Sequence, residues 1–320
     1  MSEFVQDEMP AACAMPTITN ANIKELVQRY YDKDPEIMQC GPIGSWDVSG
    51  VTDMSGLFQD KDMFNEDISG WNVSNVTNMS NMFNGARSFN QPLDAWNGKV
   101  SKVTDMSSMF SKADSFNQPL GSWDVSNVKS MTRMFSKADS FNQPLDSWNV
   151  SNVTLMNYMF YNADAFNQSL DAWDVSKVEY MNSMFQNARS FNQPLNSWNV
   201  SNVKGMRSMF QNATSFSQPL TRWYLYKIQD MYNIYLDATS FDKSTIYAWN
   251  QFKPGQTPQP PPQPAPLGQS APAPQPLTQA AILPPAAPSA EAAPSAIGPQ
   301  SGGKTKKRKN KRRRYSKKRK

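Results

Sequence analysis

Residues 123–147 read W-D-V-S-N-V-K-S-M-T-R-M-F-S-K-A-D-S-F-N-Q-P-L-D-S, and close copies of this 25-residue stretch follow one another along the chain. A tryptophan starts each copy, and the step between tryptophans is 25 residues except for one step of 27, where Gly98 and Lys99 are inserted. The tryptophans are Trp46, Trp71, Trp96, Trp123, Trp148, Trp173, Trp198 and Trp223. A period between about 20 and 50 residues is typical of repeat proteins, whose units bury their apolar faces against each other. The pattern therefore predicts a solenoid of about eight repeats.

Two apolar periods alternate within one repeat. In L-x-x-W-x-V, at residues 145–150, the Trp and Val lie two apart, which favours a short strand. In M-x-x-M-F-x-x-A, at residues 156–163, the apolar spacing i, i+3, i+4, i+7 favours a short helix. A proline such as Pro194 then ends the helix. Because strands stack about 4.8 Å apart and helices about 10 Å apart, we predict an α/β repeat solenoid, a curved, leucine-rich-repeat-like stack of short parallel strands and short helices.

The remaining sequence divides the chain into further segments. An amphipathic helix is predicted at residues 20–33, with Asn20 as its N-cap. The predicted segments are a disordered leader (1–19), an N-terminal cap helix with the approach to the first repeat (20–45), about seven regular repeats (46–222), a degenerate last repeat with a C-terminal cap (223–253), a disordered Pro/Ala/Gln-rich linker (254–303) and a polybasic tail (304–320).

Charge is distributed very unevenly along the chain. Up to Lys253 the sequence holds 19 Lys and Arg against 26 Asp and Glu, whereas from Pro254 onward 13 basic residues face only Glu291. A dense basic run binds polyanions through counterion release, without reading sequence. The predicted polyanion-binding residues are Lys304, Lys306, Lys307, Arg308, Lys309, Lys311, Arg312, Arg313, Arg314, Lys317, Lys318, Arg319 and Lys320. Nucleic acid tethering, nuclear targeting and attachment to acidic protein or membrane surfaces all fit such a tail.

Residue chemistry argues against an enzyme. The chain has no histidine and two cysteines, which excludes histidine-based catalysis and a cysteine-based metal cage. The residue after each of the first seven tryptophans is Asp or Asn, as in a solvated row and not in a unique catalytic pair. We therefore expect no catalytic, metal or cofactor residues, and we place a candidate partner-binding strand face, alongside the simpler reading of plain solubility, on this row. Its members are Asp47, Asn72, Asn97, Asp124, Asn149, Asp174 and Asn199.

The repeated W-D-V-S-N-V, M-x-x-M-F and F-N-Q-P-L elements, over residues 20–252, resemble those of the BspA-like leucine-rich-repeat surface proteins, whose repeats also occur in mycoplasma lipoproteins. The resemblance implies a leucine-rich-repeat-like fold and adhesion or protein binding, with no catalytic residues. The basic end from Gly302 is similar to tails of proteins from large DNA viruses of algae and protists.

These observations favour a non-catalytic interaction or adhesion scaffold. Its repeats would bind a protein or glycan partner, its tail would bind nucleic acid or another polyanion, and it would use no cofactor or small-molecule substrate. The alternative is a nucleic-acid-associated protein, viral or nuclear, in which the tail carries the function. With neither a signal peptide nor an apolar span in the sequence, we expect an intracellular, nuclear or virion-associated location rather than secretion.

Overall fold

The computed structural model describes residues 15–245 and Trp249. The predicted linker and polybasic tail, and most of the predicted leader, lie outside the described residues. Helix α1 spans Ile23–Tyr31 and α2 spans Pro35–Met38, and short 3₁₀ helices lie at Ile43–Ser45 and Asp94–Trp96. The predicted boundary of the leader at residue 19 is too late, because Ile18 is buried in the core.

Consecutive repeats lie side by side in parallel register. One residue in each repeat forms an isolated parallel β-bridge with its counterpart in the next. The bridge residues, in chain order, are Asp53, Asn78, Asp105, Ser130, Leu155, Tyr180, Gly205 and Asp230. The register continues across the insertion at Gly98 and Lys99, because Asn78 pairs with Asp105.

The eight residues that begin at each bridge residue form what we call the ladder segment, which spans 155–162 in the fifth repeat. Within it, alternate backbone N–H groups donate to the next repeat, for example Tyr158 to the Asn182 carbonyl at 2.8 Å. The intervening N–H groups close local turns, as Met159 does on the Met156 carbonyl at 3.3 Å. Each repeat therefore satisfies its backbone partly within itself and partly through its neighbour.

The helix predicted at residues 156–163 is wrong, because this segment is a run of turns. Tyr158 and Asn162 have positive φ angles of 59° and 56°, which an α-helix does not contain and which type II turns place at their third residue. The apolar residues occupy the first and last positions of these four-residue turns. Two tandem turns thus give the same i, i+3, i+4, i+7 spacing as a helix.

The strand predicted at residues 145–150 is also wrong. The backbone there makes tight turns, in which Trp148 N–H donates to the Leu145 carbonyl at 3.1 Å and Val153 N–H to the Val150 carbonyl at 2.9 Å. Parallel pairing occurs instead at Leu155, seven residues after the tryptophan. The predicted curvature stays a prediction, and the larger packing distance of helices no longer supports it.

The core consists of aromatic and aliphatic columns that run through the stack. Phe135 and Phe160, equivalent residues of adjacent repeats, have ring centroids 5.7 Å apart and nearly parallel planes. Trp148 and Trp173 stack at 6.4 Å. The backbones beneath these rings are hydrogen-bonded to each other, as Phe135 N–H is to the Met159 carbonyl at 2.9 Å, which fits stacked turns and not stacked helices, whose interior N–H groups bond within the helix. The predicted burial of the Trp, Met and Phe columns is confirmed, since all their members in the regular repeats are buried.

The Asn and Gln side chains of the F-N-Q-P-L element form a further row of hydrogen bonds between neighbouring repeats. Asn142 N–H donates to the Asn117 side-chain oxygen at 3.0 Å, and Gln143 Nε2 donates to the Asn117 carbonyl at 3.1 Å. The same bonds recur one repeat later, from Asn167 N–H to the Asn142 side chain at 2.9 Å. These side-chain amides link neighbouring repeats, whereas the sequence pattern alone indicated only that a proline ends the preceding segment.

The two ends of the stack are covered differently. At the first repeat, α1 buries Ile23, Leu26, Val27 and Tyr30, as its amphipathic pattern predicts. Asn20 is not the helix N-cap, which is Asn22. At the other end, Trp249 stacks on Trp223 at 6.3 Å and extends the tryptophan column by one member.

Candidate binding face

The outward side chains of the ladder segments form one continuous surface, which we call the ladder face. In the fifth repeat Met156, Met159 and Phe160 point into the core, whereas Tyr158 and Tyr161 are only partly buried. The inter-repeat hydrogen bonds fix the backbone beneath these side chains. The ladder face therefore presents its residues in rows, one member per repeat, on a rigid support.

The rows of the ladder face change from repeat to repeat, whereas the core columns do not. The bridge row alone contains Asp, Asn, Ser, Leu, Tyr and Gly. Two residues further on, the row begins with Ser55 and Ser80 and ends with Arg207 and Tyr232. No packing requirement explains this variety, because the side chains are not part of the core.

Aromatic and cationic side chains meet on the later part of this face. The Arg133 guanidinium lies 4.6 Å from the Tyr158 ring centroid, within the range of a cation–π contact. Tyr158 also makes a T-shaped contact with Tyr161 at 5.8 Å. Lys204 lies 6.0 Å from the Tyr180 ring. The first three repeats have only Gly, Ser, Asn, Gln or Asp at the positions of these tyrosines and Arg133.

Amide rows hold the same region in register. Asn182 Nδ2 donates to Asn157 Oδ1 at 2.9 Å, and Asn187 Nδ2 donates to Asn162 Oδ1 at 2.8 Å. Gly205 leaves room for this arrangement, because a Cβ at that position would lie 2.8 Å from Asn182 Oδ1. The side chains of the ladder face are thus ordered before any partner arrives, which lowers the entropy cost of binding.

The row predicted from the sequence as a partner-binding strand face has a local structural role. All seven residues, from Asp47 to Asn199, are exposed, and they lie in a turn or just before one and not on a strand. Six of them accept a hydrogen bond from the backbone N–H two residues on, for example Asp124 Oδ1 from Ser126 at 3.0 Å. The exception is Asn97, which precedes the insertion at Gly98. Such Asx turns accept Asp or Asn equally, which explains their alternation.

The aspartates that stack in consecutive repeats show the electrostatics of an aligned row. Burial raises the pKa of Asp139, and the flanking carboxylates Asp114 and Asp164 raise it further. Burial also raises the pKa of Asp114, which the Arg87 cation partly offsets. Within residues 15–245, no group of three carboxylate or cysteine side chains is arranged to hold a metal ion.

The thirteen tail residues predicted to bind polyanions, Lys304 to Lys320, lie outside the described residues. Within the part of the chain that is described, no helix is long and apolar enough to cross a membrane. Sequence reasoning missed the ladder face because it placed a helix there. The departures from the repeat consensus at Arg133, Tyr158 and Tyr161 were the available signal.

Comparison with known protein families shows which family has similar repeats. A family described as "Mycoplasma protein of unknown function, DUF285" matches residues 24–147, 98–179 and 141–249. These overlapping matches cover the repeats and most of the N-terminal cap, and they confirm the predicted resemblance to mycoplasma-type repeats. No curated protein matches the sequence. The chain belongs to the DUF285 family of repeat proteins.

Proposed function

We propose that this protein is a non-catalytic binding scaffold whose ladder face recognises a protein or glycan partner and whose basic tail anchors it to a polyanion. The observation that supports the proposal is a difference between two sets of positions within each repeat. Nearly constant residues fill the core and cap the turns, whereas the ladder face presents rows that vary from repeat to repeat on an ordered, solvent-facing surface. Repeat proteins use such extended surfaces to bind partners.

The ladder face is a better candidate than the row after the tryptophans. The oxygens of that row already accept backbone hydrogen bonds, and its two residue types are explained by the turns they cap. The ladder face instead offers tyrosine and arginine, which are enriched among the residues that dominate binding energy.

A selection experiment tests which surface binds. The full chain would be used to select ligands from a displayed peptide library and a glycan array, and two variants would then be compared on the selected ligands. The ladder variant carries Arg133→Glu, Tyr161→Glu and Arg207→Glu. The comparison variant carries Asp124→Lys, Asn149→Lys and Asp174→Lys on the other row.

We expect the ladder variant to lose the selected ligands and the comparison variant to keep them. Loss in the comparison variant alone would place the site on the row after the tryptophans. Retention by both variants would contradict binding by either face of the repeats.

The second candidate function is a nucleic-acid-associated protein, of viral or nuclear origin, in which the tail carries the function. It is favoured by the 13 basic residues against Glu291 alone from Pro254 onward. Nucleic acid binding that falls steeply with salt, and that disappears when residues 304–320 are deleted, would support it. The acidic excess up to Lys253, 26 Asp and Glu against 19 Lys and Arg, makes this part of the chain a poor ligand for a phosphate backbone.

A further inference from the structure

Three cations of the fourth repeat lie in its ladder segment, residues 130–137, or directly before it. Lys129, Arg133 and Lys137 are exposed, and none of them forms an ion pair with a carboxylate of the described residues. Two cations of the later repeats differ. Lys204 pairs with Glu179 at 2.8 Å, a hydrogen bond that raises the pKa of the lysine, and Arg189 pairs with Asp164 at 3.0 Å.

The next repeat places a tyrosine pair beside Arg133. The Arg133 guanidinium covers one face of the Tyr158 ring at 4.6 Å, and Tyr161 contacts the same ring in a T-shaped geometry at 5.8 Å. Stacking on the ring orients the guanidinium and leaves its N–H groups free to bind a carboxylate in a bidentate manner. The five residues Lys129, Arg133, Lys137, Tyr158 and Tyr161 form what we call the basic–aromatic patch.

The patch is a local reversal of charge. The sequence up to Lys253 has an excess of acidic residues, whereas Lys129, Arg133 and Lys137 bring three positive charges to one repeat. Lys137 is near enough to Asp139 to offset part of the rise in the pKa of that carboxyl, and Lys129 and Arg133 form no ion pair with a described carboxylate. Such a contrast favours approach of an anionic group at this position and disfavours it elsewhere.

We propose that the basic–aromatic patch binds an acidic segment of a partner protein. The inference rests on the proposed function, because it gives the partner of the ladder face a chemistry. Nucleic acid bases need an open aromatic face for stacking, and Arg133 and Tyr161 already contact the Tyr158 ring. Guanidinium, ammonium and phenol groups instead suit Asp and Glu side chains, and Tyr and Arg are the residues that dominate protein interfaces.

Replacing the patch residues by residues from equivalent positions of other repeats gives a variant that removes the patch with little risk to folding. Every new residue already occupies the equivalent position of another repeat, and Asn and Ser already adopt the positive φ angles required there, at Asn81, Ser108 and Asn162. The patch variant is Lys129→Thr, Arg133→Ser, Lys137→Asn, Tyr158→Asn and Tyr161→Gln. Arg133→Ser alone serves as a second, milder variant.

A matched control removes the same charge elsewhere. Lys102, Lys177 and Lys227 share one row outside the ladder segments, and each donates to an asparagine of the preceding repeat at 2.7–2.9 Å. Asparagine already occupies this row at Asn127 and Asn152. The control variant is therefore Lys102→Asn, Lys177→Asn and Lys227→Asn, which also loses three positive charges.

The measurement is titration calorimetry at low salt with poly-L-glutamate, dextran sulfate and oligothymidylate as probes. All proteins are full-length chains whose 13 tail Lys and Arg, in residues 304–320, are replaced by Gln, so that the tail does not bind the probes. We expect poly-L-glutamate to bind, the patch variant to bind it about tenfold more weakly or worse, Arg133→Ser to bind it more weakly to a lesser degree, and the control to stay within about twofold.

Three outcomes would overturn the proposal: no binding of poly-L-glutamate, equal weakening in patch and control variants, or patch-dependent binding of dextran sulfate or oligothymidylate only. If poly-L-glutamate does not bind while the ladder variant still loses its selected ligands, only the proposal that the partner is acidic is wrong. If poly-L-glutamate does not bind and the ladder variant also keeps its selected ligands, the proposed function is wrong as well.

Discussion

At the scale of single residues, the tryptophan of each repeat contributes a hydrogen bond as well as a ring. Trp148 Nε1 donates to the buried Leu120 carbonyl of the preceding repeat at 2.9 Å, and Trp173 donates to the Leu145 carbonyl at 2.8 Å. Trp46 is the exception, because its buried Nε1 has no acceptor among the described residues. The first tryptophan thus lacks the bond that the later ones make to the repeat before them.

This difference predicts unequal costs for the same substitution. Trp148→Phe removes one of the two donors to the Leu120 carbonyl, which keeps the Trp123 N–H at 3.0 Å, so the lost hydrogen bond should cost about 0.5–1.5 kcal/mol beyond the lost volume. Trp46→Phe loses similar volume but removes an unpaired buried donor, so it should cost less by about that amount. Urea denaturation of the two full-length variants measures the difference. Equal destabilisation would mean that the indole hydrogen bonds add nothing to stability.

Which residues are buried could be predicted from the sequence, but what the polar residues do could not. The apolar period alone placed Phe160 and Trp148 in the core. The role of Asp124 as a turn cap and of Asn142 as a link between repeats depends on hydrogen bonds to backbone groups. Such bonds leave no apolar period, and the pattern shows only that the residue is polar.

At the scale of elements, the sequence was ambiguous between a helix and tandem turns. Both structures place apolar residues at i, i+3, i+4 and i+7, and the residues with positive φ angles include Tyr158 and Lys137, which carry no turn signal in the sequence. The backbone hydrogen bonds between repeats decide between them, because Phe135 N–H donates to the Met159 carbonyl of the next repeat and so is not used within a helix. The parallel stacking of repeats followed from the 25-residue period, but the backbone of one repeat did not.

The insertion at Gly98 and Lys99 tests this account of the repeat. Gly98 has a φ angle of 71°, and a Cβ built on it would have no neighbour within 4 Å, so the insertion projects away from the stack. Deleting Gly98 and Lys99 should therefore change the free energy of unfolding by about 0.5 kcal/mol or less.

Deleting two residues from a ladder segment is the matched comparison. Ser108 N–H donates to the Thr132 carbonyl and the Ser107 carbonyl accepts from Asn81, both at 2.8 Å. Removing Ser107 and Ser108 breaks both bonds and moves Met109 and Phe110 out of their columns, which should cost about 3 kcal/mol or more. Denaturation midpoints of the two deletion variants give the comparison. Similar losses in both would show that the insertion is part of the packed stack.

At the scale of the whole molecule, the first repeat needs a substitute for a preceding neighbour. In the fifth repeat Thr154 and Leu155 N–H both donate to one carbonyl, that of Lys129, at 2.9 and 3.4 Å. In the first repeat the equivalent Thr52 and Asp53 N–H groups donate to the Asn20 side-chain oxygen, at 2.9 and 3.1 Å. Asn20 therefore replaces the carbonyl of a missing repeat. Sequence reasoning placed Asn20 at a helix end, because its partners lie more than 30 residues away.

This role predicts a local effect of Asn20 on the stack. Asn20→Ala should cost about 1–3 kcal/mol and speed hydrogen exchange in the first repeat, because two N–H groups lose their acceptor. Asn20→Asp keeps an acceptor oxygen but loses the bond from Asn20 Nδ2 to Thr52 Oγ1 at 2.8 Å, so its effect should be intermediate. Central amides such as Tyr158 N–H should exchange as in the wild type, since each repeat depends mainly on its neighbours. Hydrogen exchange followed by mass spectrometry resolves the repeats, and faster exchange throughout the stack would show that it opens as one unit, so that Asn20 does not act as a local cap.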